Sequence, residues 1–265
     1  MAFQFDFRKY QPLYTPLVIF VGCLVIAAAI YGSGGITITL GGKQKATGTP
    51  TVAGEGECGD LPADSEVTIS IDDDPVLGEP KAPLTLLEFS DATCPYCGQF
   101  FRETFPQIKK DYIDKGKLKF VLRDLPIHGD IASQAAEAAH CANERGKFWE
   151  YWAKIFANQQ SVTVENLKNW AKKLGLNTTT FNSCFDDRKY RDEVTKDSQD
   201  AQSYGIQGTP NFILFKTDSS GEVKVTVKWV CQQGQKNLTF EGATLIQGAY
   251  PYDQFKSMIE AELAK

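Results

Sequence analysis

Hydrophobic positions along the chain fall into three regimes. Residues 13–31 are predominantly apolar, and no charge occurs between Lys9 and Lys43. At 1.5 Å per residue such a run spans about 28 Å as a helix, close to the ~30 Å hydrocarbon core of a bilayer. From 41 to 65 the composition turns to Gly, Thr, Ala, Lys and Glu without apolar period, the pattern of a flexible tether. Beyond it, periodic segments alternate. Short aliphatic runs predict strands over 67–70, 84–90, 118–123 and 212–216, with a later pair around 223–230 and 238–240. Helical composition marks 132–143, 148–158, 164–174 and 190–204, with cap and stop signals at Thr163 and Gly175, and 253–263 reads as a closing amphipathic helix. Phe101, Phe105, Ile108 and Tyr112 recur at helical spacing after the 84–90 strand, and the stripe Trp149, Trp152, Ile155, Phe156 is read as core packing. About 200 residues of α/β pattern suffice for one domain of ordinary size.

Arg8 and Lys9 precede the apolar run. The positive-inside rule therefore predicts a cytoplasmic N-terminus over 1–12, a single transmembrane anchor over 13–31, a linker over 32–65 and an extracytoplasmic domain over 66–265, although Lys43 and Lys45 blunt the asymmetry. Two other readings of the segment stay open: signal-peptidase cleavage near Ala29 or Gly34, and lipidation at Cys23 after Gly22. The run exceeds the ~7–15 residues of a signal-peptide core, and Cys23 is followed by further apolar residues, so the membrane anchor is the reading taken. A net charge of −5 argues against a nucleic-acid partner.

The chemistry is carried by Cys94-Pro95-Tyr96-Cys97, placed after the run 84–89 and before the amphipathic stretch. Two thiols separated by two residues close a small, exchangeable disulfide. At a helix start, Cys94 faces unpaired N–H groups and the positive end of the dipole, which favours its thiolate; Pro95 fits the first turn, where its missing donor costs nothing. Spacing alone is a weak signal, since seven cysteines in 265 residues give about 0.2 such pairs by chance. A structural zinc site would need two more ligands, and neither a second C-x-x-C nor an H-x3-5-H pair occurs; the only histidines are His128 and His140. No metal is expected. Strand, C-x-x-C and helix in succession is the thioredoxin arrangement, and Gly208-Thr209-Pro210 sets a proline just before the 212–216 run.

Taken in order, Asp72-Asp73-Asp74-Pro75, the segment 82–91 leading to Cys94, Arg123-Asp124-Leu125-Pro126-Ile127-His128, the run 135–142, Gly146-Lys147-Phe148-Trp149, Phe181-Asn182-Ser183-Cys184 and Gly208-Thr209-Pro210 closely resemble the DsbA-like thiol:disulfide oxidoreductases, over about 68–264. The resemblance implies an α/β thioredoxin-like fold with an inserted α-helical subdomain, at about 130–204. It makes Cys94 the exposed attacking thiol, Cys97 its resolving partner, and Thr209-Pro210 the cis-proline loop, whose backbone is free to pair with an extended substrate. An ordinary trans proline opening an edge strand is the alternative for Pro210. Glu88 lies where the family places a buried acid, which implies proton relay to or from Cys97; a simple pairing of Glu88 with a lysine is the alternative. Tyr96 departs from the histidine of the most oxidising members and leaves thiolate stabilisation to the helix terminus and backbone donors. His128 is read as structural. The same Cys-Pro-Tyr-Cys occurs in glutaredoxins, which are small soluble domains.

Outside the apolar segment six cysteines remain. The resemblance implies a structural disulfide between Cys141 and Cys184; Cys58 and Cys231 are left over, to pair with each other or to stay free or intermolecular. The expected function is that of a membrane-anchored extracytoplasmic oxidase with no cofactor beyond the redox-active Cys94–Cys97 disulfide. Its implied partners are reduced or unfolded exported proteins and a quinone-linked membrane reoxidase of DsbB or vitamin K epoxide reductase type. Two rivals are a disulfide reductase or isomerase, since Thr209 before the proline also occurs in isomerases, and a non-catalytic tethered peptide-binding, chaperone-like module.

Overall fold

The computed structural model describes residues 60–217, 221–233 and 235–265. The expected span over 13–31, most of the tether and Cys58 lie outside them, and among the described residues no helix is long and apolar enough to cross a membrane. The strands, in chain order, are β1 (Ser65–Ser70), β2 (Val76–Leu77), β3 (Leu84–Ser90), β4 (Leu118–Asp124), β5 (Asn211–Lys216), β6 (Glu222–Gln232), β7 (Gln235–Glu241) and β8 (Thr244–Gln247). A five-stranded sheet has the order β2-β4-β3-β5-β8, and a three-stranded one β1-β6-β7. β3 and β4 are parallel, with Leu84 opposite Leu118 and Ser90 opposite Asp124; β5 runs antiparallel to β3 and sets Phe212 opposite Glu88.

Every residue of β3 and β4 is buried, because helices cover one face of the sheet and the small sheet with the helix Arg191–Ser203 covers the other. Strand period two divides the side chains between two cores. Leu84, Leu86, Phe120, Leu122, Phe212 and Leu214 enter the core beneath the helices, while Leu87, Phe89, Val121, Ile213 and Phe215 meet Ala201, Tyr204, Val225 and Val227 in the second.

After Cys94 the chain is helical through Ile113: α1 (Pro95–Gln99) and α2 (Phe105–Ile108), each continued by a wider π turn, Phe100–Thr104 and Lys109–Ile113. Pro106 accounts for the first widening. It has no N–H for the Arg102 carbonyl, and its ring crowds that carbonyl, so Phe105 N–H reaches back to Phe100 O instead. The inserted helices are α3 (Asp130–Asn143), α4 (Phe148–Phe156), α5 (Val164–Lys173), α6 (Thr178–Asp186) and α7 (Arg191–Ser203), and α8 (Tyr252–Ala264) closes the chain. Trp152, Ile155 and Phe156 are core residues and Trp149 packs against them partly buried, with its ring 5.7 Å from that of Phe120.

Three elements escape the sequence pattern. β2 has two residues and β8 four, too few for a period. α6 opens on three threonines, poor helix formers, yet the Asn177 side chain accepts from Thr180 N–H at 3.0 Å and Phe181, Cys184 and Phe185 are buried. Cys184 of α6 is bonded to Cys141 of α3 across a sequence separation of 43. Cys231 is also disulfide-bonded.

Replacing Cys141 and Cys184 together by Ala opens that loop. By chain entropy the loss of stability is up to about 4 kcal/mol. Thermal unfolding of the oxidised protein is expected to show a lowered midpoint with thiol exchange at Cys94 largely intact; an unchanged midpoint contradicts a stabilising role for the bridge.

Candidate active site

β3 delivers the chain to a short loop whose shape is set by one carboxylate. Asp91 is buried. Its Oδ1 accepts from the Thr93 amide at 2.7 Å and the Thr93 hydroxyl at 2.8 Å, a local turn typical of aspartate. Its Oδ2 accepts from the amides of Ile127 and His128 at 2.8 and 3.0 Å, and lies 2.8 Å from His128 Nδ1. The segment leaving β4 is thereby fastened to the loop before Cys94. His128 is placed as a structural partner of Asp91, in agreement with its structural reading.

Cys94 is the N-cap of α1, with extended backbone (φ −66°, ψ 122°), and Pro95 follows in the first turn. Gly98 N–H donates to Cys94 O at 3.1 Å and starts the helix. The Thr209–Pro210 peptide is cis, and the Cys94 thiol donates to the Thr209 carbonyl at 3.4 Å. Cys97 Sγ accepts from Asp91 N–H at 3.5 Å. Both cysteines stand as thiols. Cys94, Cys97, Thr209 and Pro210 are thus brought together by two separate segments of chain. One expectation changes: Cys94 is 2% exposed, whereas Tyr96 is 65% exposed. The sulfur turns in toward the Thr209 carbonyl, and the exposed face of the motif belongs to Pro95 and Tyr96.

The two thiols have opposite acidities. A hydrogen bond from Cys97, then the Thr209 side chain and the amides of Cys97 and Tyr96, hold Cys94 down to about 5 against its burial. Burial pushes Cys97 well above the usual thiol range, reinforced by its hydrogen bond to Cys94 and by the charge of Glu88. Glu88 lies on the same face of β3 as Leu84 and Leu86, is 1% exposed, and neither of its oxygens has a hydrogen-bond partner. Among the described residues no lysine pairs with it. Burial, aided by the negative charge of Cys94, raises Glu88 to about 8, so near neutral pH it holds a proton close to Cys97.

Sequence reasoning quoted Asp91 only as part of a motif. The signal that could have singled it out is Asp91-Ala92-Thr93, an aspartate two residues before a hydroxyl residue at a helix start.

These acidities fix a pH dependence. Cys94 titrates only in the reduced protein, whereas Glu88 titrates in both redox forms. With a folded value near 5 and an unfolded value near 8.5, the reduced native state has released a proton that its unfolded state still binds across that window. Its stability therefore rises with pH there and is lost as pH falls through 5. Thermal unfolding of the two forms between pH 4 and 9 is expected to show the reduced form gaining on the oxidised form; a difference independent of pH contradicts the depressed thiol.

Comparison with known proteins identifies the family. A family model described as thioredoxin matches residues 70–224. Disulfide bond formation protein D of Bacillus subtilis is 36% identical over 153 residues, covering 55% of this chain and 69% of that protein. The crystal structure of oxidised BdbD from Bacillus subtilis matches with a TM-score of 0.60 at 30% identity, over 74% of this chain and 96% of that one. Wolbachia pipientis alpha-DsbA1 matches with 0.59 at 26% identity, over 73% and 92%. The Na(+)/H(+) antiporter NhaA 3 of Salinispora tropica is 33% identical over 153 residues, which are 57% of this chain and 23% of the antiporter, so the chain spans under a quarter of that relative's length. With a thioredoxin-like fold, a helical insertion and a paired-thiol site, the chain belongs to the DsbA-like family and is a thiol-disulfide oxidoreductase.

Proposed function

We propose that this enzyme is an oxidase, held at the cell membrane by residues 13–31 with its catalytic domain outside the cytoplasm, and that it donates the Cys94–Cys97 disulfide to reduced exported proteins. The observation that carries the direction is the opposed acidity of the two thiols. Whatever stabilises the Cys94 thiolate stabilises the reduced pair, and that makes the disulfide the better oxidant.

A substrate thiolate attacks Cys94 Sγ, the Cys94–Cys97 bond breaks, and its electron pair leaves on Cys97. The high affinity of Cys97 for a proton then draws one in, with Glu88 protonated nearby as the donor. The mixed disulfide between Cys94 and substrate forms beside the Thr209 carbonyl. A second substrate thiolate attacks the substrate sulfur and releases Cys94 as a thiolate, a good leaving group at its depressed value. Two electrons have passed from substrate to enzyme; of the two protons the substrate thiols released to solvent, one restores Glu88, and the enzyme is left with Cys97 as thiol and Cys94 as thiolate. A quinone-linked membrane partner of DsbB or vitamin K epoxide reductase type would accept the electrons and restore the disulfide. Support for that partner and for exported substrates comes from the family resemblance, and support for the anchor from the uncharged stretch between Lys9 and Lys43.

Cys97→Ala is expected to accumulate covalent Cys94–substrate complexes, seen as higher bands on non-reducing gels, and Cys94→Ala few or none. Oxidised enzyme should convert a reduced unfolded substrate to its disulfide form faster than reduced enzyme reduces an oxidised one. Faster reduction moves the function to the reductase or isomerase reading. Substrate-folding activity that survives Ser at both cysteines moves it to the tethered peptide-binding module.

In cell fractionation the domain should sediment with membranes and be open to protease outside spheroplasts. Release into solution with a mature N-terminus after Ala29 or Gly34 replaces the anchor by a cleaved signal.

A further inference from the structure

Gln159 begins the short 3-10 turn Gln159–Ser161 after α4, and its side chain reaches from the helical insertion to the backbone of the thiol loop. The amide nitrogen donates to Ala92 O at 3.1 Å and Cys94 O at 2.9 Å. The amide oxygen accepts from Arg102 Nη1 at 3.3 Å, and the same guanidinium nitrogen is 3.3 Å from Phe156 O. With two carbonyls at one end and a guanidinium at the other, only one orientation of the amide satisfies its partners.

Gly98, directly after the Cys-Pro-Tyr-Cys motif, gives an independent observation. A Cβ placed on it would lie 1.9 Å from Gln159 Oε1 and 2.6 Å from Arg102 Nη1. Glycine is among the poorest helix formers, yet here its missing side chain is the space that the Gln159 amide and the Arg102 guanidinium occupy.

We propose that Gln159 is a positioning residue for Cys94: it fixes the N-cap peptide and carries the positive field of Arg102 to it, so that the thiolate is held by this contact from the helical insertion. The proposal rests on the reading of Cys94 as the attacking thiol. The Cys94 carbonyl receives both Gln159 and the N–H of Gly98, the latter at 3.1 Å. An N-cap peptide held at two points keeps the amides of Tyr96 and Cys97 aimed at the sulfur. Arg102 polarises the amide from its far end, which strengthens the donor that faces the loop. The titratable groups around Cys94 are Cys97 on α1, Glu88 on β3 and, at the start of the loop, Asp91 with His128. All four are retained in the variants below.

The test measures alkylation of the reduced full-length protein by iodoacetamide against pH, with peptide mapping to identify the thiol, in the parent, Gln159→Ala, Gly98→Ala and the double variant. Each single substitution is expected to raise the pH midpoint for Cys94 by about half a unit, or about threefold slower alkylation on the acid side of the midpoint. The double variant should shift no further, because both changes remove the same contact. Gly98→Ala should retain its thermal midpoint, since Ala favours the helix and its Cβ need displace only the ends of flexible side chains. That variant tests the proposal even if Gln159→Ala folds poorly. An unshifted alkylation midpoint in Gly98→Ala and Gln159→Ala, with Cys94 still the fast thiol, overturns the positioning role. Mapping that finds Cys97 as the fast thiol in the parent protein overturns the attacking-thiol reading itself.

Discussion

Burial of β3 on both faces is the constraint from which the site follows. A strand with helices on one side and a second sheet on the other must be apolar at nearly every position, and in β3 the alternation sends Leu84 and Leu86 one way and Leu87 and Phe89 the other. Glu88 breaks the pattern on the helical face. An ionised carboxylate there would lie in a low dielectric without a hydrogen-bond partner, and it responds by holding its proton up to about 8. The same register that buries β3 brings the end of β4 and the cis-proline end of β5 alongside its C-terminal end. Cys94, the Thr209 carbonyl and the loop after β4 therefore converge without any segment being adjacent to another in sequence.

Another buried ionisable group, Arg123 on β4, joins the layers that β3 separates. Its guanidinium reaches Asp74 at 2.5 Å, Asp72 at 2.8 Å, Asp200 at 3.5 Å and Asp197 at 3.8 Å, and donates to the carbonyl of Ser70 at the end of β1 at 3.0 Å. One side chain thus links the small sheet, the main sheet and α7. Burial drives Asp197 up to about 8, with Asp124 adding repulsion, and raises Asp74 against the pull of Arg123, so the cluster carries less negative charge than its carboxylates suggest. Asp197 also accepts from the Asp124 amide at 3.0 Å, and Asp124 pairs with His140 at 2.8 Å. Taking one partner from such a buried network costs about 3–5 kcal/mol, because the others stay desolvated.

The thiols differ for reasons of placement. Both lie on one short helix, three residues apart, yet Cys94 caps its N-terminus with donors around it while Cys97 turns into the core toward a buried acid. The helical insertion contributes through Gln159, and the exit of β4 through the bonds that Asp91 makes to Ile127 and His128.

Periodicity and local chemistry by themselves determined much of this protein. The aliphatic runs of β3, β4 and β5, the amphipathic period behind the cysteines, the helices of the insertion, and the Cys94-Pro95-Tyr96-Cys97 motif are legible because each signal is contained within a few consecutive residues. The weak elements were not: β2 and β8 exist because neighbouring strands offer them partners, and α6 because Phe181, Phe185 and the Cys184 bridge are buried. Only the tertiary structure decided which groups surround the sulfur. That Glu88 has no lysine partner among the described residues, that the Asp91 carboxylate holds Ile127 and His128, and that Gln159 fills the space beside Gly98 are long-range facts. Strand register and the packing of separate segments set the distances between these groups, and those distances govern desolvation and hydrogen bonding, which a one-dimensional pattern does not encode.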